Sequence, residues 1–326
     1  MRAVVLESYG GPEVLTIREV ADPEVGPEDV LVDVAATALN RADLLQRLGL
    51  YPGPPMAHEI PGMEFSGTVS AVGDRVTSWT PGAEVMGIVG GGAYAERVAV
   101  HERQALRVPR SVPLRDAAAI PEVWITAYDA LVLQGGLTSG RVALVHAGAS
   151  GVGTAAIQLC RSIGARVAVT ASTGKVDACT RLGADLVVDY TADDFVERTK
   201  QFTDGRGVDV VLDVVGGDYV DRNVDALAIG GRIVQVGVMS REPGLVNVGK
   251  LLPKRASIIG TVLRPRPLEQ KIVVTQQFGA EVLPLFEQGA LVPVIDRHYA
   301  FEEIAAAHER MQSNANIGKI VVDVAP

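Results

Sequence analysis

Cysteine is nearly absent from this chain of 326 residues. Only Cys160 and Cys179 occur, which excludes a disulfide scaffold and a multi-cysteine zinc ribbon. The five histidines, His58, His101, His146, His298 and His308, are scattered without an H-x-x-x-H pair, so a metal cage would need distant segments. Long apolar runs are also missing. Gly, Ser or Thr interrupts each uncharged stretch before about 18 apolar residues, so no membrane span is expected. The opening Met1–Leu15 carries Glu7 and lacks an apolar core of signal-peptide length, which reads as a mature, cytoplasmic protein. A net charge of −9 disfavours a nucleic-acid partner. There is no internal repeat and no low-complexity linker.

What is present fits a globular protein, with 48% hydrophobic and 21% charged residues. At roughly 100–200 residues per domain, the length suggests two domains. The first third is β-rich. Ala3–Leu6, Val14–Glu19, Val30–Ala36 and Gly67–Val72 are β-branched or alternating runs separated by Gly/Pro turns. Asn40–Leu48 has helical spacing and leads to a proline-rich loop, 51–61. Further strands fit 84–89 and 93–100, and the whole predicts a small antiparallel barrel with inserted loops. The texture changes near Pro121. Short Val/Leu/Ile runs at 142–146, 166–170, 186–189, 208–213 and 232–236 alternate with helical stretches at 152–163, 175–182, 193–202 and 219–227. Strands this apolar are buried on both faces, which predicts a doubly wound parallel sheet. After Leu263, helices at 275–288 and 301–312 and a strand near Val294 lead to a last strand at 319–324. That strand would be an unpaired edge unless it returned to the first domain.

The strongest chemical signal is the turn from His146 to Gly153, between a buried strand and a helix. Gly148 permits a tight turn, Gly151 eases backbone approach to a diphosphate, and Gly153 lets helix and strand pack closely. The backbone of Ala149, Ser150 and Val152 completes the cradle at the helix start. Ser150 departs from the simple G-x-G-x-x-G pattern, and Val152 breaks the G-x-S-x-G elbow of hydrolases. A site for NAD would carry an acid about 20 residues on. The second strand here ends in Ser172, with Lys175 following, and Tyr190 ends the third. Small hydroxyls, a cation and a phenol suit a 2′-phosphate, which points to NADPH. A solvated lysine and a loop aromatic would look the same at Lys175 and Tyr190.

Together with Asn40-Arg-Ala-Asp43, Gly49-Leu-Tyr51-Pro, Pro61-Gly-Met-Glu64-Phe-Ser-Gly67, Gly92-Ala-Tyr-Ala-Glu96 and Asn316-Ile-Gly-Lys319, these features resemble the medium-chain dehydrogenase/reductase superfamily. Within it the chain is similar to the zinc-free quinone oxidoreductases, in particular the p53-inducible branch, which shares the Ala-Gly-x-Ser-Gly-Val-Gly turn. The resemblance implies an α/β protein: a GroES-like β-rich catalytic domain, 1–121 plus 265–326, with an inserted Rossmann doubly wound parallel-sheet domain, 122–264. It also implies a homodimer pairing the Rossmann sheets edge to edge. By alignment with zinc-dependent members, Asn40 and Met63 replace two metal ligands and Glu122 stands at the third position, so no metal is expected. Without that Lewis acid, alcohol oxidation gives way to reduction of an electron-poor acceptor, a quinone or a conjugated enone.

The resemblance places the nicotinamide in the cleft between domains. Tyr51 and Asn40 are the candidate donors to the acceptor oxygen. Thr126 is assigned to the nicotinamide or its ribose; Val238, Val262, Leu263 and Arg264 line the cofactor, and Lys319 joins the cofactor set. Each has an ordinary alternative: a stacked aromatic for Tyr51, a helix cap for Asn40, a helix-turn hydroxyl for Thr126. Two rival functions share this frame: a 2-alkenal or enone reductase, and a non-catalytic NADPH-binding protein.

Overall fold

The computed structural model describes residues 1–240 and 242–325, and the chain divides into two units, Met1–Ile125 with Arg264–Pro326, and Thr126–Leu263. In chain order the first unit begins with strands β1 (Arg2–Leu6), β2 (Leu15–Glu19), β3 (Asp29–Ala38), β4 (Glu64–Val72), β5 (Glu84–Ile88), β6 (Arg97–His101) and β7 (Ala105–Arg107). The second unit holds β8 (Val142–Val145), β9 (Arg166–Ala171), β10 (Leu186–Asp189), β11 (Val208–Asp213), β12 (Leu227–Gln235) and β13 (Ser257–Gly260). The chain then returns with β14 (Ile295–Ala300) and β15 (Lys319–Asp323).

In the first unit β3 is the organising strand. Val30, Val32 and Val34 alternate inward with Leu31 and Asp33, the period-2 pattern of a strand with one buried face. One side of β3 pairs with β4 along most of its length; β6 and β15 pair elsewhere along it. Two irregularities, at Leu31/Val32 and Val34/Ala36, bend this ladder as bulges do. Gly67 allows the close approach, since a Cβ there would lie 2.2 Å from Asp33 O. The core beneath contains Val4, Val32, Phe65, Tyr94, Phe301 and Ile320, drawn from both ends of the chain. The last strand, β15, is antiparallel to β3 but parallel to β14, so the sheet is mixed where an antiparallel barrel was expected.

The second unit is a six-stranded sheet in the order β10-β9-β8-β11-β12-β13, with every pairing parallel. This is the Rossmann order, and the reversal lies between β8 and β11. The central strands β8 and β11 are buried at every residue, which explains the unbroken apolar run of β8 and the Val210–Leu212 core of β11. Helices Gly151–Ile163, Val176–Leu182, Phe195–Phe202 and Tyr219–Ala226 follow the first four strands.

Several boundaries differ from the sequence pattern. The helix expected at 275–288 is two helices, Leu268–Glu281 and Leu283–Glu287, and Pro284 in the first turn of the second lacks the N–H that continuity would need. Helix Pro121–Tyr128 and strands β7 and β13 have no counterpart in the sequence pattern.

Candidate functional site

The candidate residues gather in two clusters, one in each unit. In the first, Asn40 ends the loop after β3 and precedes helix Arg41–Arg47. It is the N-cap residue of that helix, and its backbone carbonyl accepts from the Asp43 N–H at 3.0 Å. Asn40 Nδ2 donates to Glu64 Oε1 at 2.8 Å, and Asn40 Oδ1 accepts from Lys319 Nζ at 2.6 Å. Lys319 also donates to Leu39 O (2.6 Å) and Glu64 Oε1 (2.7 Å), so all three of its N–H groups are engaged. Glu64 Oε2 accepts from the Glu122 N–H at 2.8 Å. Glu64 and Lys319 are 0% and 3% exposed in their side chains, so the pair is fully enclosed. Lys319, expected in the cofactor set, thus directs its ammonium to Leu39 O, Asn40 Oδ1 and Glu64 Oε1. Glu64 and Lys319 were not recognised as partners of Asn40, because nothing in local sequence connects positions so far apart.

These residues do not fit a zinc ion. Asn40 is an amide bonded at both ends, Met63 offers a buried thioether, and an ammonium already occupies the cluster. Among the described residues no group of three His, Cys, Asp or Glu side chains is placed to hold a metal.

Helix Arg41–Arg47 carries a second buried chain. Asp43 Oδ2 accepts from the Asn40 N–H (2.7 Å) and from the Tyr94 hydroxyl (3.1 Å), while Asp43 Oδ1 has no partner. Because Tyr94 donates to Asp43, it accepts from His308 Nε2 at 3.3 Å, which assigns the His308 tautomer. Burial pushes the Asp43 carboxyl up to about 6, against the pull of the Asn40 N–H, Lys319, Tyr94 and Arg264. Burial pushes His308 down to about 3, helped by Arg47.

Tyr51 follows that helix on the Gly/Pro loop and is partly buried. Arg264, expected at the cofactor, lies over the Tyr51 ring at 4.9 Å and donates to Tyr51 O (3.4 Å), Gly90 O (2.5 Å) and Gln46 Oε1 (2.7 Å). Gln46 in turn donates to Glu59, which also accepts from Tyr9. Burial raises the Tyr51 phenol, with Arg264 opposing and Glu122 adding to the shift.

In the second unit the parallel strands end on one edge, and the sequence-derived residues lie there. After β8, Ala147 takes a left-handed φ of 58°, and Gly148 N–H bonds Thr170 O at 2.8 Å. A Cβ on Gly148 would stand 2.6 Å from Val169 Cβ, and one on Gly153 would stand 2.4 Å from Ala147 O. Ser150 turns its hydroxyl to the Gly153 N–H at 3.0 Å and caps helix Gly151–Ile163, which explains a serine in a glycine pattern. Ala149 is buried beneath the turn, while Gly151 and Val152 open the helix, partly exposed. Ser172 follows β9, and Lys175 closes the 3-10 turn Thr173–Lys175. Tyr190 is brought beside them by its N–H bond to Ala171 O (3.1 Å) and is 50% exposed. Val238 and Val262, exposed after β12 and β13, complete the edge, with Leu263 next to Val262. Thr261 donates to Asp129 at 2.9 Å, tying this end of β13 to the segment that follows Thr126. The turn admits a diphosphate and a helix start to receive it, so the residues fit a dinucleotide.

His146, which the sequence showed only as a scattered histidine, is buried under this edge. It bonds Thr170 Oγ1 (3.1 Å) and Asn223 Oδ1 (2.7 Å), and Asn223 passes the chain to Asp213 at 2.9 Å. Asp213 holds the N–H groups of Val215 and Gly216 after β11. One buried chain thus links the ends of β8, β9 and β11. Burial lowers the His146 pKa, so the ring is neutral.

A β-rich unit joined to such a sheet defines an oxidoreductase that uses a nicotinamide cofactor. Residues 26–110 match the alcohol dehydrogenase GroES-like domain and residues 182–322 the zinc-binding dehydrogenase model. The chain is 32% identical to the Homo sapiens synaptic vesicle membrane protein VAT-1 homolog, covering all of this chain and 87% of that protein. It is 30% identical to the Homo sapiens quinone oxidoreductase, covering 99% of this chain and 97% of that one. The solved JamJ enoyl reductase, in its apo form, superposes with a TM-score of 0.89 at 26% identity over 99% of each chain. The chain belongs to the medium-chain dehydrogenase/reductase superfamily.

Asp43 makes a titration test. Its folded pKa of about 6 exceeds the unfolded value near 3.8, so the folded state holds the extra proton between those limits. Stability from this group is present at low pH and is lost as pH rises from about 4 to about 6, by about 2–3 kcal/mol. His308 acts in the opposite sense over an overlapping range, so the difference from Asp43→Asn isolates the carboxyl. In urea melts, unmutated protein should lose ground to Asp43→Asn across that window; parallel stability curves would contradict the assignment.

Proposed function

We infer that the protein is an NADPH-dependent reductase that delivers hydride to a quinone without a metal. The observation that carries this reading is the Lys319 ammonium enclosed with Asn40 and Glu64. Asn40 stands where zinc-dependent relatives take a metal ligand, so the position holds a hydrogen-bonded amide in place of a Lewis acid. Such a site suits an acceptor that is already electron-poor. When bound, the reduced nicotinamide supplies the hydride. Asn40 and Tyr51 donate hydrogen bonds to the acceptor oxygen as its charge grows, and Arg264 holds the Tyr51 ring and loop in place. Similarity to the human quinone oxidoreductase supports a quinone as acceptor. Similarity to an enoyl reductase supports a second reading, reduction of a conjugated enone with the same residues.

NADPH is favoured over NADH because Ser172 replaces an acid and Lys175 and Tyr190 share its neighbourhood. A charge-assisted bond contributes about 1.5–3 kcal/mol, so the preference should be about 10- to 100-fold in Kd. Fluorescence titration should show Lys175→Ala eroding it and Ser172→Asp reversing it. Equal affinities in the unmutated protein would refute the assignment.

Tyr51→Phe keeps the ring and deletes the donor. With quinone saturating, kcat should fall roughly 10- to 1,000-fold while NADPH affinity stays the same, and chelators should leave the rate unchanged. A silent Phe variant would leave Tyr51 as a packing residue.

A homodimer fits the open edge of β13. Ile258 on that strand is exposed, and the segment before it exposes Leu245 (86%), Val248 (69%) and Leu252 (78%), an apolar edge that a second copy would cover. Light scattering should give twice the mass of one chain, and Leu252→Glu with Ile258→Glu should give the monomer mass. A monomer without mutation would dismiss this pairing.

A further inference from the structure

We propose that Lys319 is a positioning residue of the reduction, acting through Asn40 by fixing the orientation of its amide and polarising it. This rests on the reading of Asn40 as a donor to the acceptor oxygen. An asparagine amide can normally turn over, exchanging donor for acceptor. Here both ends are assigned by partners that can play one role only. The ammonium has no lone pair and must face Oδ1; the Glu64 carboxylate must face Nδ2. A count of the cluster's donors then leaves one loosely held. Lys319 has three N–H groups on three acceptors. Of the two N–H groups on Asn40 Nδ2, one meets Glu64 Oε1 at 2.8 Å, and the other has only Ala38 O at 3.4 Å, long for such a bond. That second N–H is the one available to an acceptor oxygen.

The cation also alters the strength of the donor. A positive charge at 2.6 Å from Oδ1 draws electron density through the amide, so the Nδ2 hydrogens carry more positive charge. Because Lys319 and Glu64 are buried, water does not screen this effect. The ammonium thus acts on the acceptor one residue removed, through the carbonyl end of the Asn40 amide, while the Glu64 carboxylate at 2.7 Å balances its charge.

Asn40→Ala, Lys319→Met and the double variant test this. Each single change should lower kcat with NADPH and quinone by about 10- to 100-fold, with KM for NADPH moving less than about twofold. If Lys319 acts through Asn40, the double variant should be no slower than Asn40→Ala. Multiplying losses would overturn the proposal. Should Lys319→Met fail to fold, Lys319→Met with Glu64→Gln leaves no unpaired buried charge and takes its place. A second readout needs no turnover. In ¹H–¹⁵N spectra the Asn40 side-chain amide, identified by its loss in Asn40→Ala, should show two unequal, slowly exchanging protons, which merge toward exposed-amide positions in Lys319→Met. An amide signal that does not move would overturn the proposal even in an active enzyme. A signal that moves in a protein that reduces conjugated enones and no quinone would support it and remove the quinone reading alone.

Discussion

Enclosing an ammonium beside a carboxylate is the constraint around which the GroES-like unit closes. Lys319 opens β15, Glu64 opens β4, and both strands pair with β3, whose end runs directly into Leu39 and Asn40. Two desolvated charges are tolerated only when every lone pair and proton has a partner, and removing one partner from such a pair typically costs 3–5 kcal/mol. The pairing therefore fixes where three separate segments meet. It also fixes the start of helix Arg41–Arg47, whose Asp43 reaches back to the Asn40 N–H and onward to Tyr94 and His308. Asn40 is held by its backbone from one buried chain and by its side chain from the other.

The inserted unit follows a different logic. Its sheet is parallel throughout, so six loops converge at one edge without any of them being near another in sequence. Buried polar groups stiffen that edge from below. The chain Thr170–His146–Asn223–Asp213 links the ends of three strands, and a neutral imidazole, not a charge, sits at its centre. The glycines above are required by close approach, since a methyl group would meet the Val169 side chain at Gly148 and backbone atoms at Gly153, both under 3 Å away.

The alternation of β3 and the apolar runs of β8 and β11 were legible in the sequence, because burial on one face or two leaves a period in the residues. The glycine turn was legible for a similar reason: its motif is contiguous. What the sequence hid was long-range. Asn40 drew attention as a possible donor or cap, yet its amide partners lie 24 and 279 residues away. Arg264, expected along the cofactor, also has a partner the sequence did not show: its side chain grips Tyr51, 213 residues upstream. His146 offered no spacing signal, since its partners come from two later βα units. Polar pairings of this kind depend on topology, and topology is the property a single chain of letters expresses least directly.

The return of β15 to β3 has a consequence for how the protein is made. Synthesis delivers the whole of Thr126–Leu263 as one uninterrupted stretch, while Lys319 is still unwritten. Until then Asn40 and Glu64 have no ammonium between them, and β3 lacks the partner for Ala36–Ala38. The inserted sheet can thus mature on the ribosome while its host waits, and the buried cluster around Asn40 is completed among the last acts of translation.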